Sequence, residues 1–239
     1  MNTPEGQPPS PSQGRPPARG LRLGALFGID IYLDSSLIII FALIVYILGS
    51  SLFPTWHPDW QASTTWGTAI AAGVLFCASV LAHELAHSLV ARHFGIEVRR
   101  ITLFLFGGLA EIQEEPREPR SEFFIAIVGP LTSIALGILF SSIGVRLAGT
   151  GFGELMTEDQ AAALAGLSPA ATLLLWLGPV NLMLGLFNMV PGFPLDGGRV
   201  LRALVWWLTG NLRLATKVAS DCGRYFGWFL MVLGAVQAL

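Results

Sequence analysis

Long uncharged stretches alternate with short charged segments along this chain. Asp, Glu, Lys and Arg are missing from four long runs and from the C-terminal end, namely 35–58, 60–83, 123–145, 160–195 and 225–239. A helix that crosses about 30 Å of hydrocarbon needs about 20 mostly apolar residues, and the four long runs satisfy this. The pattern predicts an all-α polytopic membrane protein with about six transmembrane helices, near 35–53, 66–92, 122–147, 170–190, 197–209 and 214–239.

The last two predicted segments are weaker than the other four. The segment 197–209 is too short to cross the bilayer upright, so we expect it to be tilted, partial or re-entrant. The segment 214–239 carries three charged residues whose helical spacing places them on one face, at Lys217, Asp221 and Arg224. We interpret them as an interfacial or inward-facing charged stripe. A gating or substrate contact is the alternative.

Regions outside the predicted helices have patterns of their own. The first twenty residues contain six prolines and no apolar periodicity, which predicts a disordered tail over 1–20 before a membrane core over 21–239. Alternating apolar and acidic residues at 27–34 predict a short strand. Two β-prone runs around Gly107 and Gly108 predict a β-hairpin over about 96–113, apolar enough to associate with the membrane.

Charged residues also indicate orientation and exclude some protein classes. Short cytoplasmic loops are rich in Lys and Arg, and arginines precede the first segment and follow the second but are missing between them, so the N-terminus is expected in the cytoplasm.

Lys217 is the single lysine among 14 basic residues, which favours a GC-rich bacterial genome and hence a bacterial plasma membrane. Near-equal basic and acidic counts, 14 and 16, argue against nucleic-acid binding, and two cysteines exclude a disulfide-stabilised secreted fold.

The second predicted segment contains a metal-binding pattern, His83-Glu84-Leu85-Ala86-His87. Residues at i and i+4 lie one helical turn apart, so both imidazoles project from one face and can bind one metal. A catalytic zinc site has three protein ligands and a water, which the intervening glutamate can deprotonate. Ionisable groups inside a spanning helix are costly and usually mark a functional site. We therefore interpret the pattern as a metal site.

A third ligand has to come from another part of the chain. Asp196 ends the longest uncharged run among two prolines and three glycines, so this stretch cannot be a continuous helix. Unwound backbone at membrane depth is tolerated where it is buried in protein or lines a wet cavity. Helical rise places Glu84 about 12 Å inside the cytoplasmic end of its segment, at a level that Asp196 can reach. Asp196 is the candidate third ligand, with an ordinary loop as the alternative, and His57 and His93 are interpreted as interfacial.

The two motifs together resemble those of the site-2 protease family of intramembrane zinc metalloproteases. The resemblance extends from about residue 20 to the C-terminus. The first motif matches at His83, Glu84 and His87, and the second, Asn-x-x-Pro-x-x-Pro-x-Asp-Gly, matches at Asn188, Pro191, Pro194, Asp196 and Gly197. The resemblance implies one zinc ion (Zn2+) bound by His83, His87 and Asp196, with Glu84 as the general base.

Substrate contacts are assigned only by this resemblance. Asn188 is implied to orient the substrate or stabilise the oxyanion. Phe106, Gly107 and Gly108 correspond to a membrane-associated hairpin whose open edge receives an extended substrate. The implied substrate is a single-span membrane protein, such as an anti-sigma factor, cleaved in or near its transmembrane segment during regulated intramembrane proteolysis.

Other features refine the resemblance and leave alternatives. Gly129-Pro130 resembles a further family signature, interpreted as a packing or kinking feature. The segment between Gly95 and Glu122 has no room for a PDZ domain, so the chain resembles the PDZ-less branch. Members of this branch often carry C-terminal CBS domains, and this sequence does not include them, either because this member lacks them or because the sequence is a piece of a longer protein. A membrane metal-binding or transport protein is the alternative function. A catalytically inert substrate-binding protein is disfavoured by Glu84, and a prenyl-protein protease would use a glutamate as its third ligand.

Overall fold

The computed structural model describes residues 20–104, 107–112, 116–149 and 160–237, so the predicted tail falls almost entirely outside the described residues. A four-stranded sheet lies against a set of helices. The strands are β1 (Leu21–Leu26), β2 (Ile29–Leu33), β3 (Val98–Phe104) and β4 (Gly107–Ile112). The helices are α1 (Ser35–Ile47), which continues through a π-helical turn (Leu48–Leu52) into α2 (Phe53–Trp56), then α3 (Ala62–His93), α4 (Pro119–Ala148), α5 (Gln160–Ala165), α6 (Pro169–Asn188), α7 (Asp196–Thr209) and α8 (Leu212–Gln237).

Four helical segments of the described residues are long and apolar enough to cross a membrane: Ser35–Trp56, Ala62–His93, Pro119–Ala148 and Pro169–Asn188. They correspond to the first four predicted segments. The count of about six is not confirmed. Helix α7 has 14 residues, a length of about 21 Å by helical rise, and α8 carries the three charges noted in the sequence. Helix α7 is therefore too short for a candidate span, and α8, with 26 residues, is long enough but not sufficiently apolar.

Local capping explains where several helices begin and end. Asp34 precedes α1, and its carboxylate accepts a hydrogen bond from the Ser36 backbone N–H at 2.9 Å. Ser168 caps α6 in the same way, and a proline follows at the first helical position. Gly149 and Gly210 end α4 and α7 with φ values of 67° and 66°, the left-handed conformation that glycine adopts without a Cβ clash.

The sheet has the strand order β1-β2-β3-β4, which leaves β1 and β4 at its edges. β1 pairs with β2 and β3 with β4 in antiparallel fashion, whereas β2 and β3 are parallel. The predicted strand and hairpin are therefore both present. The predicted position of the hairpin turn is wrong, because Gly107 and Gly108 pair with Phe104 and Leu103 inside the ladder. Glycine is common in turns but also fits a strand edge that another backbone approaches closely.

The buried face of the sheet packs on the half of α3 that carries the histidines. Alternate residues of β2 and β3, Ile29 and Ile31, Ile101 and Leu103, are at most 2% exposed and form one cluster with α1, α3 and α4. Period-two alternation places these side chains on one face of the strands. The sheet is thereby attached next to the metal-binding pattern.

Helix α4 packs closely against α6 through small residues. A Cβ atom at Gly137 would lie 2.9 Å from the Gly178 carbonyl oxygen, and one at Gly178 would lie 2.7 Å from the Ser141 nitrogen. Small residues let helix backbones approach each other closely in apolar surroundings. α4 also contacts α3 and α7, so this helix lies between the two elements that carry the candidate ligands.

Candidate metal centre

His83 and His87 lie one turn apart on α3 and point to the same side. Their side chains are almost fully buried, at 5% and 6% exposure. The two Nε2 atoms are 3.1 Å apart. This is the arrangement that the i, i+4 spacing requires, because such residues share one face of a helix.

Asp196 completes a group of three potential ligands. The chain leaves helical conformation after Asn188 and re-enters it at Asp196, the first residue of α7. The Asp196 Oδ2 atom lies 3.1 Å from the His83 Nε2 atom and 3.2 Å from the His87 Nε2 atom. The structure thus brings together the three residues proposed as ligands, from segments more than a hundred residues apart in the chain.

The outer nitrogens of both imidazoles have partners on α4. The His87 Nδ1 atom lies 2.5 Å from the Ile125 carbonyl oxygen, and the His83 Nδ1 atom lies 2.9 Å from the Ser133 hydroxyl. A carbonyl oxygen only accepts, so the His87 Nδ1 atom carries the proton and, in the neutral ring, Nε2 presents its lone pair to the centre. Metal-ligating histidines usually donate their second N–H in this way, which fixes the ring orientation.

These residues fit a zinc ion. When the rings are neutral, the two Nε2 atoms and the carboxylate oxygen are all electron-pair donors, so positive charge is needed between them. A proton can bridge only two of these atoms in a hydrogen bond, whereas a divalent cation can accept an electron pair from all three. Tetrahedral zinc with ligands about 2.0–2.1 Å away separates them by about 3.3 Å, close to the observed separations of 3.1, 3.1 and 3.2 Å. Three protein ligands are also the number found in catalytic zinc sites.

The charge of Asp196 suits a ligand. This residue lies outside the four candidate spans, and its side chain is 16% exposed. Burial raises the pKa of the Asp196 carboxyl group, but hydrogen bonds and positive charge from the His83 and His87 rings, when these are protonated, lower it by more, to well below the usual value. A divalent cation between neutral rings would favour the ionised carboxylate in the same way, and this is the form that metal ligation requires.

Glu84 is less buried than the two histidines of the motif. It follows His83 on α3 and is partly exposed, whereas the candidate ligands His83 and His87 are buried. A general base has to exchange its proton with water or with a leaving group, so partial exposure beside a buried ligand pair is what the role requires.

The other predicted site residues are placed less directly. Asn188 is the last residue of α6, and its Nδ2 atom donates to the Leu184 carbonyl oxygen at 3.0 Å, which uses one of its two amide N–H groups. Gly107 and Gly108 lie on the edge strand β4. Phe106 lies outside the described residues. Their contacts with substrate remain predictions.

Comparison with known proteins assigns a family to this centre. The sequence profile of peptidase family M50 matches residues 71–233, a region that contains all three candidate ligands. The chain belongs to peptidase family M50, the site-2 protease family. The site-2 protease from Methanocaldococcus jannaschii has a similar structure, with a TM-score of 0.55 and 28% identity over 91% of this chain and 86% of that one.

Two relatives of this site-2 protease family member are named as zinc metalloproteases. A putative zinc metalloprotease of Synechocystis sp. is 40% identical over 92% of this chain and 53% of its own length. The putative zinc metalloprotease Rip3 of Mycobacterium tuberculosis is 36% identical over 90% of this chain and 51% of its own length. The chain therefore spans about half the length of these curated relatives.

Sequence reasoning singled out Gly129 on α4 only as part of a packing or kinking signature, and missed that α4 contacts both histidines of this M50 centre. A Cβ atom at Gly129 would lie 2.2 Å from the His87 Nε2 atom and 2.8 Å from the His83 Nε2 atom, so only glycine fits there. Ile125, Gly129 and Ser133 are spaced i, i+4 and i+8, which places them on one face of the helix. That spacing was visible in the sequence. The sequence did not show that this face packs on the histidines.

Proposed function

We propose that this protein is an intramembrane zinc metalloprotease that hydrolyses a peptide bond in or near the transmembrane segment of a membrane-tethered regulatory protein. The observation that carries the proposal is the convergence of the His83, His87 and Asp196 ligand atoms on helices of a membrane core, with Glu84 beside them. Membership of the site-2 protease family supports both the metal and the reaction.

Glu84, Asn188 and the ligands have separate tasks in this reaction. His83, His87 and Asp196 would hold zinc, which would act as a Lewis acid towards the scissile carbonyl and the attacking water. Glu84 accepts a proton from the attacking water as the new C–O bond forms, and then passes it to the nitrogen of the leaving amine as the peptide C–N bond breaks. Asn188 donates an amide N–H to the carbonyl oxygen as negative charge develops there.

The edge strand β4 is the proposed docking position for the substrate. A helical substrate hides its carbonyl groups in its own hydrogen bonds and has to unwind before attack. Its extended backbone can pair with β4, one of the two edge strands of the sheet that packs on α3. Successive backbone N–H groups of a strand point to opposite sides, so of the neighbours Leu109 and Ala110 one N–H points towards β3 and the other points away from the sheet. Proline at the first of these positions removes a hydrogen bond to β3. Proline at the second removes only a donor that an added substrate strand would use. We expect the outward variant to fold normally and lose cleavage.

The orientation and partner are proposals of the same kind. The distribution of arginines supports a cytoplasmic N-terminus in a bacterial plasma membrane. A single-span regulator such as an anti-sigma factor fits a site that lies on spanning helices and next to an open strand edge. Reconstitution with a panel of single-span substrates in liposomes, with and without a chelator, identifies the substrate class.

Glu84→Gln tests the chemical step. The substitution keeps shape and leaves the three ligands in place, so the purified variant should retain one zinc per chain and lose cleavage of a single-span substrate by at least about 100-fold. Glu97→Gln is the matched control, because Glu97 is exposed and pairs with Arg99. Undiminished cleavage by Glu84→Gln would refute the mechanism. Zinc flux into liposomes without proteolysis would favour the transport alternative.

A further inference from the structure

A buried ion pair joins α4 to α7 near the metal centre. Glu122 on α4 is fully buried, and the side chain of Arg202 on α7 is 14% exposed. The Arg202 Nε atom donates to the Glu122 Oε1 atom at 2.5 Å, and an Nη atom of the same guanidinium donates to that oxygen as well. Two N–H groups from one planar guanidinium on one carboxylate give a contact with a defined geometry.

Each partner of this pair is linked to a different part of the metal centre. Glu122 lies one turn before Ile125, whose carbonyl oxygen accepts the hydrogen bond from the His87 ring. Arg202 lies six residues after Asp196, and its guanidinium also covers the ring of Phe193 at 5.4 Å, in the segment that leads to Asp196. The pair therefore connects the helix that orients the histidines with the segment that delivers the aspartate.

Stability alone does not account for an ion pair in this position. Removing two charges from water costs about as much as their attraction returns, so apolar residues of similar volume often stabilise a fold equally well. An ion pair also specifies how the two helices that carry it are aligned, because its hydrogen bonds form only when both charged groups lie opposite each other. A shift of α7 along α4 by one residue moves Arg202 by about 1.5 Å, enough to break these bonds.

The same shift would disrupt the metal centre. Asp196 begins α7, so it moves with that helix, whereas both imidazoles are attached to α4 through Ile125 and Ser133. A shift of about 1.5 Å is large against the distances of 3.1 and 3.2 Å from Asp196 to the two rings, so it would separate the three side chains. We propose that the Glu122–Arg202 ion pair is a positioning pair that sets this alignment and thereby brings Asp196 to the two histidines. The inference rests on the proposed zinc site.

Three variants separate positioning from simple stabilisation. Glu122→Gln removes the negative charge, Arg202→Lys keeps the positive charge without the planar fork, and the double variant Glu122→Leu/Arg202→Met replaces the pair by apolar side chains. Thr172→Val is the matched control, because Thr172 is also fully buried and its hydroxyl bonds His57, outside the metal centre, at 2.8 Å.

Zinc affinity and thermal stability are measured on the full chain in nanodiscs. The zinc dissociation constant is obtained by competition with a chromogenic chelator, and the melting temperature of the metal-free protein by tryptophan fluorescence. We expect all three variants to raise the dissociation constant about tenfold or more, the range found when groups that orient metal ligands are removed. The double variant should do so while keeping the melting temperature of the wild type. Thr172→Val should lower the melting temperature and leave zinc affinity unchanged.

The results distinguish this inference from the proposed function. A zinc dissociation constant within twofold of wild type in Arg202→Lys and in the double variant would overturn the positioning role. So would an affinity that falls only in proportion to the melting temperature across all variants and the control. If the wild type itself fails to bind zinc, the proposed function is refuted and the inference falls with it.

Discussion

Gly129→Ala places a single methyl group against both histidines of the candidate metal centre. The added Cβ atom would lie 2.2 Å from the His87 Nε2 atom, 2.5 Å from Cε1 of the same ring and 2.8 Å from the His83 Nε2 atom. Ordinary contact begins at 3.4 Å, so the His87 ring has to retreat by about 1.2 Å. The ring cannot retreat without losing the hydrogen bond that its Nδ1 atom makes to the Ile125 carbonyl oxygen.

The expected result is loss of metal without loss of fold. Removing a group that merely orients a ligand costs about 10–100-fold in metal affinity, and here a ligand atom itself is displaced, so zinc affinity should fall by at least about 100-fold. Alanine is favoured over glycine inside a helix by about 1 kcal/mol, which offsets part of the crowding in the folded state. The melting temperature of the metal-free protein should therefore fall only modestly, with the helical circular dichroism retained.

A second glycine on the same helix provides the control for Gly129→Ala. A Cβ atom at Gly144 would lie 3.0 Å from the nearest atom of Leu175, a crowded position outside the metal centre. Zinc content after dialysis, the dissociation constant by chelator competition and cleavage of a single-span substrate are measured for both variants. Gly144→Ala should bind zinc as the wild type does. One tightly bound zinc per chain in Gly129→Ala would show that the histidines do not lie as described.

Three further substitutions probe the ligands and a distant contact. Asp196→Ala removes one of three ligands, so purified protein should lose its stoichiometric zinc, as measured by elemental analysis, and retain its helical circular dichroism. Ser133→Ala removes the partner of the His83 ring, and we expect a 10–100-fold weaker zinc affinity by chelator competition. Thr172→Val leaves the buried His57 ring without its hydroxyl partner, which should lower the free energy of unfolding by about 1–3 kcal/mol and leave cleavage unchanged. Unaltered zinc binding in the first two, or lost cleavage in the third, would contradict this description.

The helices that carry the ligands were predictable because their signals are local. A gap between charges long enough to cross a membrane identifies a span without knowledge of its neighbours, and all four apolar helices coincide with predicted segments. The spacing of His83 and His87 places both rings on one face of any helix. Asp196 was a candidate because prolines and glycines interrupt helical structure around it, and the chain is non-helical from Met189 to Leu195.

What the sequence did not reveal depends on contacts between distant segments. The predicted bounds of α7 and α8 lie within two residues of the observed ones, but neither helix is both long and apolar enough to count among the candidate spans of the described residues. The turn of the hairpin was placed at Gly107 and Gly108 because glycine pairs favour turns, whereas both residues belong to the ladder with β3. The pairing of β2 with β3 in parallel joins strands separated by the whole of α1 and α3, and no local pattern indicates such a partner.

Helix α4 shows why a motif gives the ligands of a metal centre but not its geometry. None of the three candidate ligands lies on α4, yet its Ile125 carbonyl and Ser133 hydroxyl orient both rings, and Gly129 leaves the space that the rings occupy. The three roles need only a backbone carbonyl, a hydroxyl and a glycine. Such groups occur throughout any sequence, so residue type alone does not reveal that these three contact the metal centre. Substitutions at Gly129 and Ser133 should therefore alter metal affinity as strongly as substitutions next to the candidate ligands, whereas a substitution elsewhere on α4, such as Gly144→Ala, should not.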